Sequence, residues 1–198
     1  MEISNQQRNI VVIGGGPAGI EASRALDAMG YTVFLVERDS RLGGHLCRWD
    51  RLFPYGTPAE DVLSQLTASM GRIKWFTSTE VTQVNKLERG YNVILSNGLS
   101  VLADALLLTT GFTLFNASKK EEYGYGIYDR VITNADLEDY FSGIPVPAVD
   151  NPRRIGFVHC VGSRDEKVGN RYCSKVCCAT AVKQACEIKQ QFPDAVVY

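Results

Sequence analysis

The run Gly14-Gly15-Gly16-Pro17-Ala18-Gly19 constrains this chain more than any other feature. It follows a short apolar, β-branched segment, Asn9–Ile13 (NIVVI), and precedes an Ala-rich stretch that Gly30 stops. A continuous apolar run of that length reads as a strand buried on both faces of a parallel sheet. Thr32–Val36 (TVFLV) reads as a second strand, closed by Glu37. Strand, glycines, helix, strand and acid within about thirty residues form a βαβ unit. Gly14, Gly16 and Gly19 carry the G-x-G-x-x-G spacing within it. The first glycine permits the tight turn, the second lets backbone approach a pyrophosphate, and the third lets helix pack on strand. With Pro17 and Ala18 they face the phosphates, to which the helix N-terminus offers N–H groups and a positive dipole. Glu37, with Arg38 beside it, stands where a carboxylate accepts hydrogen bonds from a ribose. The spacing predicts a dinucleotide site without separating FAD from NAD.

Composition narrows the class. The chain has 198 residues, 45% of them apolar, and a net charge of −1. No basic stripe is present for nucleic acid and no polybasic run for an anionic membrane. No stretch reaches the roughly 20 apolar residues of a membrane span, and Ile10–Ile13 is too short for a signal-peptide core. The expectation is a cytoplasmic protein with reduced thiols.

Further along, Pro58 to Met70 reads as a helix, and Ile73–Phe76, Val81–Leu87 and Tyr91–Ser96 read as strands. Asn97-Gly98 is a hairpin signal. Ala105–Thr109 is another buried strand, closed by Thr110-Gly111. Asn134 is placed to cap a helix through Phe141. Gly143–Pro152, with three prolines, marks the boundary, giving an expected division into residues 1–150 and 151–198. Ile155–His159, a loop, a helix from about Ser174 to Gln191 and Ala195–Tyr198 then repeat the order strand, loop, helix, strand. The expected fold is α/β: a doubly wound, Rossmann-like dinucleotide-binding domain and the start of a second.

That second unit carries Cys160, Cys173, Cys177 and Cys178 in its loop. Thiolates are soft ligands for zinc or iron–sulfur clusters. Structural zinc usually takes its ligands as two separated pairs, whereas adjacent cysteines reach different corners of a [4Fe–4S] cube more readily than one small ion. An iron–sulfur centre is therefore expected, with structural zinc and redox-active thiols as the alternatives. Arg164, Lys167, Arg171 and Lys175 would offset its charge, Ser174 would cap the helix that follows, and His159 would donate to cluster sulfur. No C-x-x-C occurs, so a thioredoxin-reductase-like dithiol is not supported. Cys47 and Cys186 stand apart.

Two resemblances follow from these motifs. Arg41-Leu42-Gly43-Gly44 and Leu108-Thr109-Thr110-Gly111 resemble the R-x-G-G stretch and T-G strand end of flavoproteins similar to glutathione reductase. This implies FAD rather than NAD, with Gly43, Gly44, Thr110 and Gly111 at the cofactor. Cysteines stand where such proteins carry a second G-x-G-x-x-G, so no nicotinamide site is expected there. CVGSRDEKVGNRYCSKVCC, the following ATAVKQA and Thr110–Ile132 resemble the A subunit of heterodisulfide reductase and its relative, the A subunit of the quinone-interacting membrane-bound oxidoreductase complex. That resemblance implies a [4Fe–4S] cluster on Cys160, Cys173, Cys177 and Cys178. It also implies FAD, electron transfer, and partners among other subunits of a redox complex, linked to ferredoxin, a heterodisulfide or a quinone. The family's later Gly-Asp segment and C-x₂-C-x₂-C runs are not found by Tyr198. Two other readings stay open: an NAD(P)H-dependent flavin oxidoreductase without a cluster, and a non-enzymatic subunit with structural zinc.

Overall fold

In the computed structural model, which describes residues 8–198, the first apolar run is strand β1 (Asn9–Ile13). The glycine turn leads from it into helix α1 (Pro17–Ala28) and strand β2 (Thr32–Val36). Strands β3 (Arg51–Leu52) and β4 (Thr57–Pro58) form a small antiparallel pair. Helix α2 (Ala59–Thr67) precedes β5 (Lys74–Phe76), β6 (Val81–Lys86), β7 (Tyr91–Leu95), β8 (Ser100–Ala103) and β9 (Ala105–Leu108). Helix α3 (Asn134–Phe141), β10 (Arg154–Ile155), α4 (Cys177–Gln191) and β11 (Val196–Val197) complete the order.

The chain divides into two compact units. One comprises residues up to Cys47 with Ala59–Phe112; the other comprises Arg48–Pro58 with Thr113–Tyr198. Compactness thus groups 113–150 with the cysteine-bearing segment, whereas the sequence division groups it with the first.

In the first unit β5, β2, β1 and β9 form a parallel sheet in that order. Consecutive side chains of a strand face opposite sides, and β1 supplies both cores this way. Val12 packs with Ile20, Leu35 and Met70, against Leu26 of α1 and Leu63 and Leu66 of α2. Val11 packs with Val93, Leu95, Val101 and Ala103 of the antiparallel sheet β6-β7-β8. Val11, Val12, Ile20 and Leu35 are each 0% exposed, so each contributes roughly 1.5–3 kcal/mol of apolar burial. The sheet is therefore covered by helices on one face and by the antiparallel meander on the other. Its hairpin turns at Asn97-Gly98 as expected: Gly98 has φ +86°, and Leu99 N–H donates to Asn97 Oδ1 at 3.0 Å. The strand order reverses between β1 and β9, so the crevice beyond their C-terminal ends is where such sheets take ligands.

The second unit packs α3 on α4 through Leu137, Val149 and Ile188, with Ile155 and Val197 of its short parallel sheet against them. Beside this apolar contact lies a buried polar group. Lys183 Nζ donates to both Glu138 oxygens at 2.7 Å, and Gln184 Nε2 donates to Glu138 Oε1 at 2.8 Å. Three local expectations shift. The α3 cap is Thr133, not Asn134: the Thr133 hydroxyl accepts from Asp136 N–H while the Asp136 carboxylate accepts from Thr133 N–H, a reciprocal capping box. The strand expected over Ile155–His159 is regular only at Arg154–Ile155, because β11 offers two partners; one further bond runs from Phe157 N–H to Tyr198 O. Helix α4 begins at Cys177, not Ser174.

Candidate cofactor and metal sites

The fingerprint turn is fixed from three sides. Gly14 has φ +108°, and a Cβ there would stand 2.3 Å from the Thr109 carbonyl oxygen. At Gly19 a Cβ would stand 1.8 Å from the Gly14 carbonyl oxygen, so helix and strand touch through backbone alone. Around Gly16 nothing lies within 4 Å of the Cβ position. The second glycine therefore faces open space, as close approach by a pyrophosphate requires. Helix α1 begins there with Gly16 as N-cap, Pro17 in the first turn and no side-chain cap. Its leading N–H groups are left for an anion.

Glu37 is 6% exposed. Its Oε2 accepts Gly15 N–H at 2.6 Å and its Oε1 accepts Asp39 N–H at 2.8 Å. The expected ribose acceptor thus also holds the phosphate loop, and each carboxylate oxygen keeps a second lone pair for a ligand. Arg38 is exposed, 3.9 Å from Asp39. Gly43 N–H donates to Gly15 O at 2.8 Å, and the Cβ position of Gly44 lies 3.2 Å from Gly16 Cα. The double glycine therefore lies against the fingerprint, with φ +123° and +53°. Gly111 has φ +68° with open space around it, and Thr110 N is 3.0 Å from the Gly14 Cβ position.

Two contributors were not read from the sequence. Thr109 Oγ1 donates to Ile13 O at 3.0 Å and to Gly14 O at 2.9 Å, tying β9 to the turn. The His45 ring stacks on Phe112 at 4.5 Å, with Nε2 3.0 Å from Phe112 O, joining the two glycine turns that flank the fingerprint. The doubled threonine of Leu108-Thr109-Thr110-Gly111 was the signal for the first; nothing local signals a pair 67 residues apart. These residues fit a dinucleotide: an uncapped helix start, an open second glycine and a carboxylate with spare lone pairs.

The cysteines are gathered by a zipped loop. Asp165 and Asn170 exchange backbone hydrogen bonds at 2.8 and 3.0 Å, and Arg164 N–H donates to Tyr172 O at 2.9 Å. Ser174 N–H donates to Ser163 Oγ at 3.0 Å. This closure returns the chain from Cys160 to Cys173 despite their separation in sequence. Lys120, 5% exposed, anchors the loop by pairing with Asp165 at 2.7 Å and Glu122 at 2.8 Å. These bonds raise the Lys120 amine well above its ordinary range and lower both carboxyls. Phe115 packs where a Gly162 side chain would stand. Cys160, Arg164 and Lys175 have φ of +60°, +53° and +65°; such non-glycine outliers gather at functional sites.

At the mouth of the loop the Cys177 and Cys178 thiols come together with His159, in a group that does not include Cys160 or Cys173. The Cys177 thiol is lowered, first by a hydrogen bond from Ser174 and further by bonds from Cys178 and from the Cys160 backbone N–H. The Cys178 thiol is raised, first by the charge of Cys177 and in smaller part by Cys160 and Cys173. Lys175 N–H donates to Cys173 Sγ at 3.3 Å. Ser174 thus serves the sulfur rather than capping α4, whose N-cap is Val176 with no side-chain bond. A ring nitrogen of His159 and the sulfurs of Cys177 and Cys178 all lie within 4.8 Å of one another. Among the surrounding cations, Arg171 pairs with Glu166 at 3.6 Å. The donor set fits a thiophilic metal centre: four reduced cysteines, two of them in an uncapped helix start that favours anionic sulfur. Cys47 lies apart, its thiol donating to Leu42 O at 3.2 Å and pushed up by burial. Cys186 is exposed on α4.

No helix among the described residues is long and apolar enough to cross a membrane. Homologues at 25–28% identity over nearly the whole chain are the A subunits of heterodisulfide reductases from several methanogens. The A subunit of the ferredoxin/F(420)H(2)-dependent CoB-CoM heterodisulfide reductase of Methanosarcina acetivorans is 28% identical over 98% of this chain and 36% of the relative. The first iron-sulfur A subunit of the CoB–CoM heterodisulfide reductase of Methanopyrus kandleri is 28% identical over 97% of this chain and 43% of the relative. The chain therefore spans less than half the length of either. The L-proline dehydrogenase structure from P. horikoshii is 18% identical, covers 96% of this chain and 34% of that one, and superposes with a TM-score of 0.53, a likeness of fold. The pyridine nucleotide-disulphide oxidoreductase profile matches residues 2–144, most of the chain. With its parallel sheet and glycine turn on the FAD/NAD(P)-binding pattern, the chain belongs to the pyridine nucleotide-disulphide oxidoreductase family.

Proposed function

We propose that this chain is an electron-transfer flavo-iron–sulfur subunit of a heterodisulfide-reductase-like complex, passing electrons between FAD and a [4Fe–4S] cluster. The reading assigns FAD binding to residues 1–150 and the cluster to 151–198. Gly14, Gly16, Pro17, Ala18 and Gly19 would seat the pyrophosphate and Glu37 with Arg38 the ribose, while Gly43, Gly44, Thr110 and Gly111 would let backbone lie close to the cofactor. Cys160, Cys173, Cys177 and Cys178 would ligate iron. When bound, FAD exchanges electron pairs and the cluster exchanges single electrons.

The observation that supports the reading is the zipped loop, which closes the chain between Cys160 and Cys173 and leads into the uncapped start of α4, where Cys177 and Cys178 stand. The chain's own work there is electrostatic. Ser174 and the Cys160 N–H donate to the Cys177 sulfur and favour its thiolate, and Lys120 holds the loop through Asp165. In the nucleotide site, Glu37 and Thr109 hold the turn so that helix N–H groups point outward. Other subunits of a redox complex, with a ferredoxin-, heterodisulfide- or quinone-linked partner, are the proposed associates, in the cytoplasm. The "iron-sulfur" wording of a relative's name favours the same cofactor.

The test is an absorption spectrum of anaerobically purified chain with iron, sulfide, zinc and flavin assays, repeated for Cys177→Ser. Flavin with iron and sulfide, the latter two lost in the variant, is the expected result. Flavin without iron, reduced by NAD(P)H, would favour a cluster-free flavin oxidoreductase. Zinc without flavin turnover would favour a purely structural role.

A further inference from the structure

The donor atoms of His159, Cys177 and Cys178 lie within 4.8 Å of one another, which is close for sulfurs meant for different corners of a cube. Metal–nitrogen and metal–sulfur bonds of about 2.0–2.3 Å place two ligands of one tetrahedral ion about 3.5–4 Å apart. A small side-chain movement brings this trio to that spacing. The adjacent cysteines, expected from sequence to serve one ion poorly, stand together in the first turn of α4. His159 is exposed, and the left-handed Cys160 that follows turns the chain directly after it.

We propose that, in the cluster-free chain, His159, Cys177 and Cys178 bind one thiophilic divalent cation of the zinc or ferrous class. The proposal goes beyond the cluster reading and does not depend on it. Mixed imidazole–thiolate donors suit zinc and ferrous iron. The fourth position falls to water, since Cys178 and His159 are open to solvent. Binding forms two metal–sulfur bonds and one metal–nitrogen bond and releases the two thiol protons to solvent, with no electron transferred. An ion seated there occupies two of the cluster's four cysteines, so zinc and cluster assembly compete.

The experiment titrates the full, cluster-free chain anaerobically with Co²⁺ alone, then displaces it with Zn²⁺. A tetrahedral thiolate–Co²⁺ spectrum saturating at one equivalent is expected. His159→Ala should weaken Co²⁺ binding at least about tenfold, the scale on which even outer partners of a metal site act, while Cys186→Ser should leave it unchanged. X-ray absorption of the zinc-bound native chain should give nitrogen together with sulfur in the first shell, a readout independent of any variant's folding. No saturation at one equivalent, unchanged binding by a folded His159→Ala variant, or a sulfur-only shell would each overturn the proposal. Iron–sulfide reconstitution runs on separate samples. Co²⁺ binding with failed cluster formation would overturn the cluster reading and leave this one standing.

Discussion

Alanine in a helix is normally better than glycine by about 1 kcal/mol, yet Gly19→Ala should destabilise this protein. Gly19 is buried in α1, and a Cβ there would meet Gly14 O at 1.8 Å, Thr109 Oγ1 at 2.8 Å and Gly14 C at 3.0 Å. Ordinary contact begins near 3.4 Å, so helix and turn must separate by about 1.6 Å. The obstacle is backbone, which has no rotamer to escape into. Overpacking of this kind costs about 1–3 kcal/mol or more. Taken at its upper end against the propensity gain, it leaves a net loss of about 2 kcal/mol. The same displacement carries the first-turn N–H groups away from the phosphates, so FAD affinity should fall at least about tenfold, the equivalent of 1.4 kcal/mol. Urea unfolding of the cofactor-free chain measures the first effect and flavin fluorescence titration the second. Gly71→Ala, where nothing lies within 4 Å and φ is not left-handed, is the control and should stay within about 0.5 kcal/mol of the parent. A Gly19→Ala protein as stable as the parent, binding FAD equally well, would refute the close-packed turn.

Three other outcomes are expected. Thr109→Val removes the hydroxyl that donates to Ile13 O and Gly14 O; it should cost about 1–2 kcal/mol in urea unfolding and weaken FAD binding. Lys120→Met leaves Asp165 and Glu122 without their ammonium, so limited proteolysis should cut the cysteine loop severalfold faster while the first unit stays resistant. Glu187 is pushed above its ordinary value of 4.5, chiefly by burial. Stability tied to its neutral form is therefore full below about pH 4.5 and lost as pH rises through the folded value. Glu187→Gln should flatten that decline and gain on the parent toward neutral pH, measured by urea unfolding from pH 4 to 8; an unchanged slope would count against it.

Much of the first unit was legible because its rules are local. Glycine spacing, β-branched runs and Asn97-Gly98 each specify backbone without help from distant residues, and β1, β2, β7 and the hairpin follow. What was not legible depends on partners far along the chain. Glu37 reads as a ribose acceptor, but its capture of the Gly15 N–H needs the loop folded back over 22 residues. The His45–Phe112 stack and the Thr109 bonds have no periodic signature. In the cysteine segment, Ser174 has the residue type of a helix cap, yet its backbone bonds to Ser163 and its side chain to Cys177, so α4 starts three residues later with both adjacent cysteines in its first turn. His159, expected from sequence as a donor to cluster sulfur, stands in one donor group with both adjacent cysteines.

The measurement closest to the central claim is the electron paramagnetic resonance of anaerobically reconstituted, dithionite-reduced chain, with its spins counted against bound FAD. The account predicts a reduced-cluster signal near one spin per flavin, abolished in Cys177→Ser while flavin stays bound. Flavin at full occupancy with no cluster signal and no iron would contradict it.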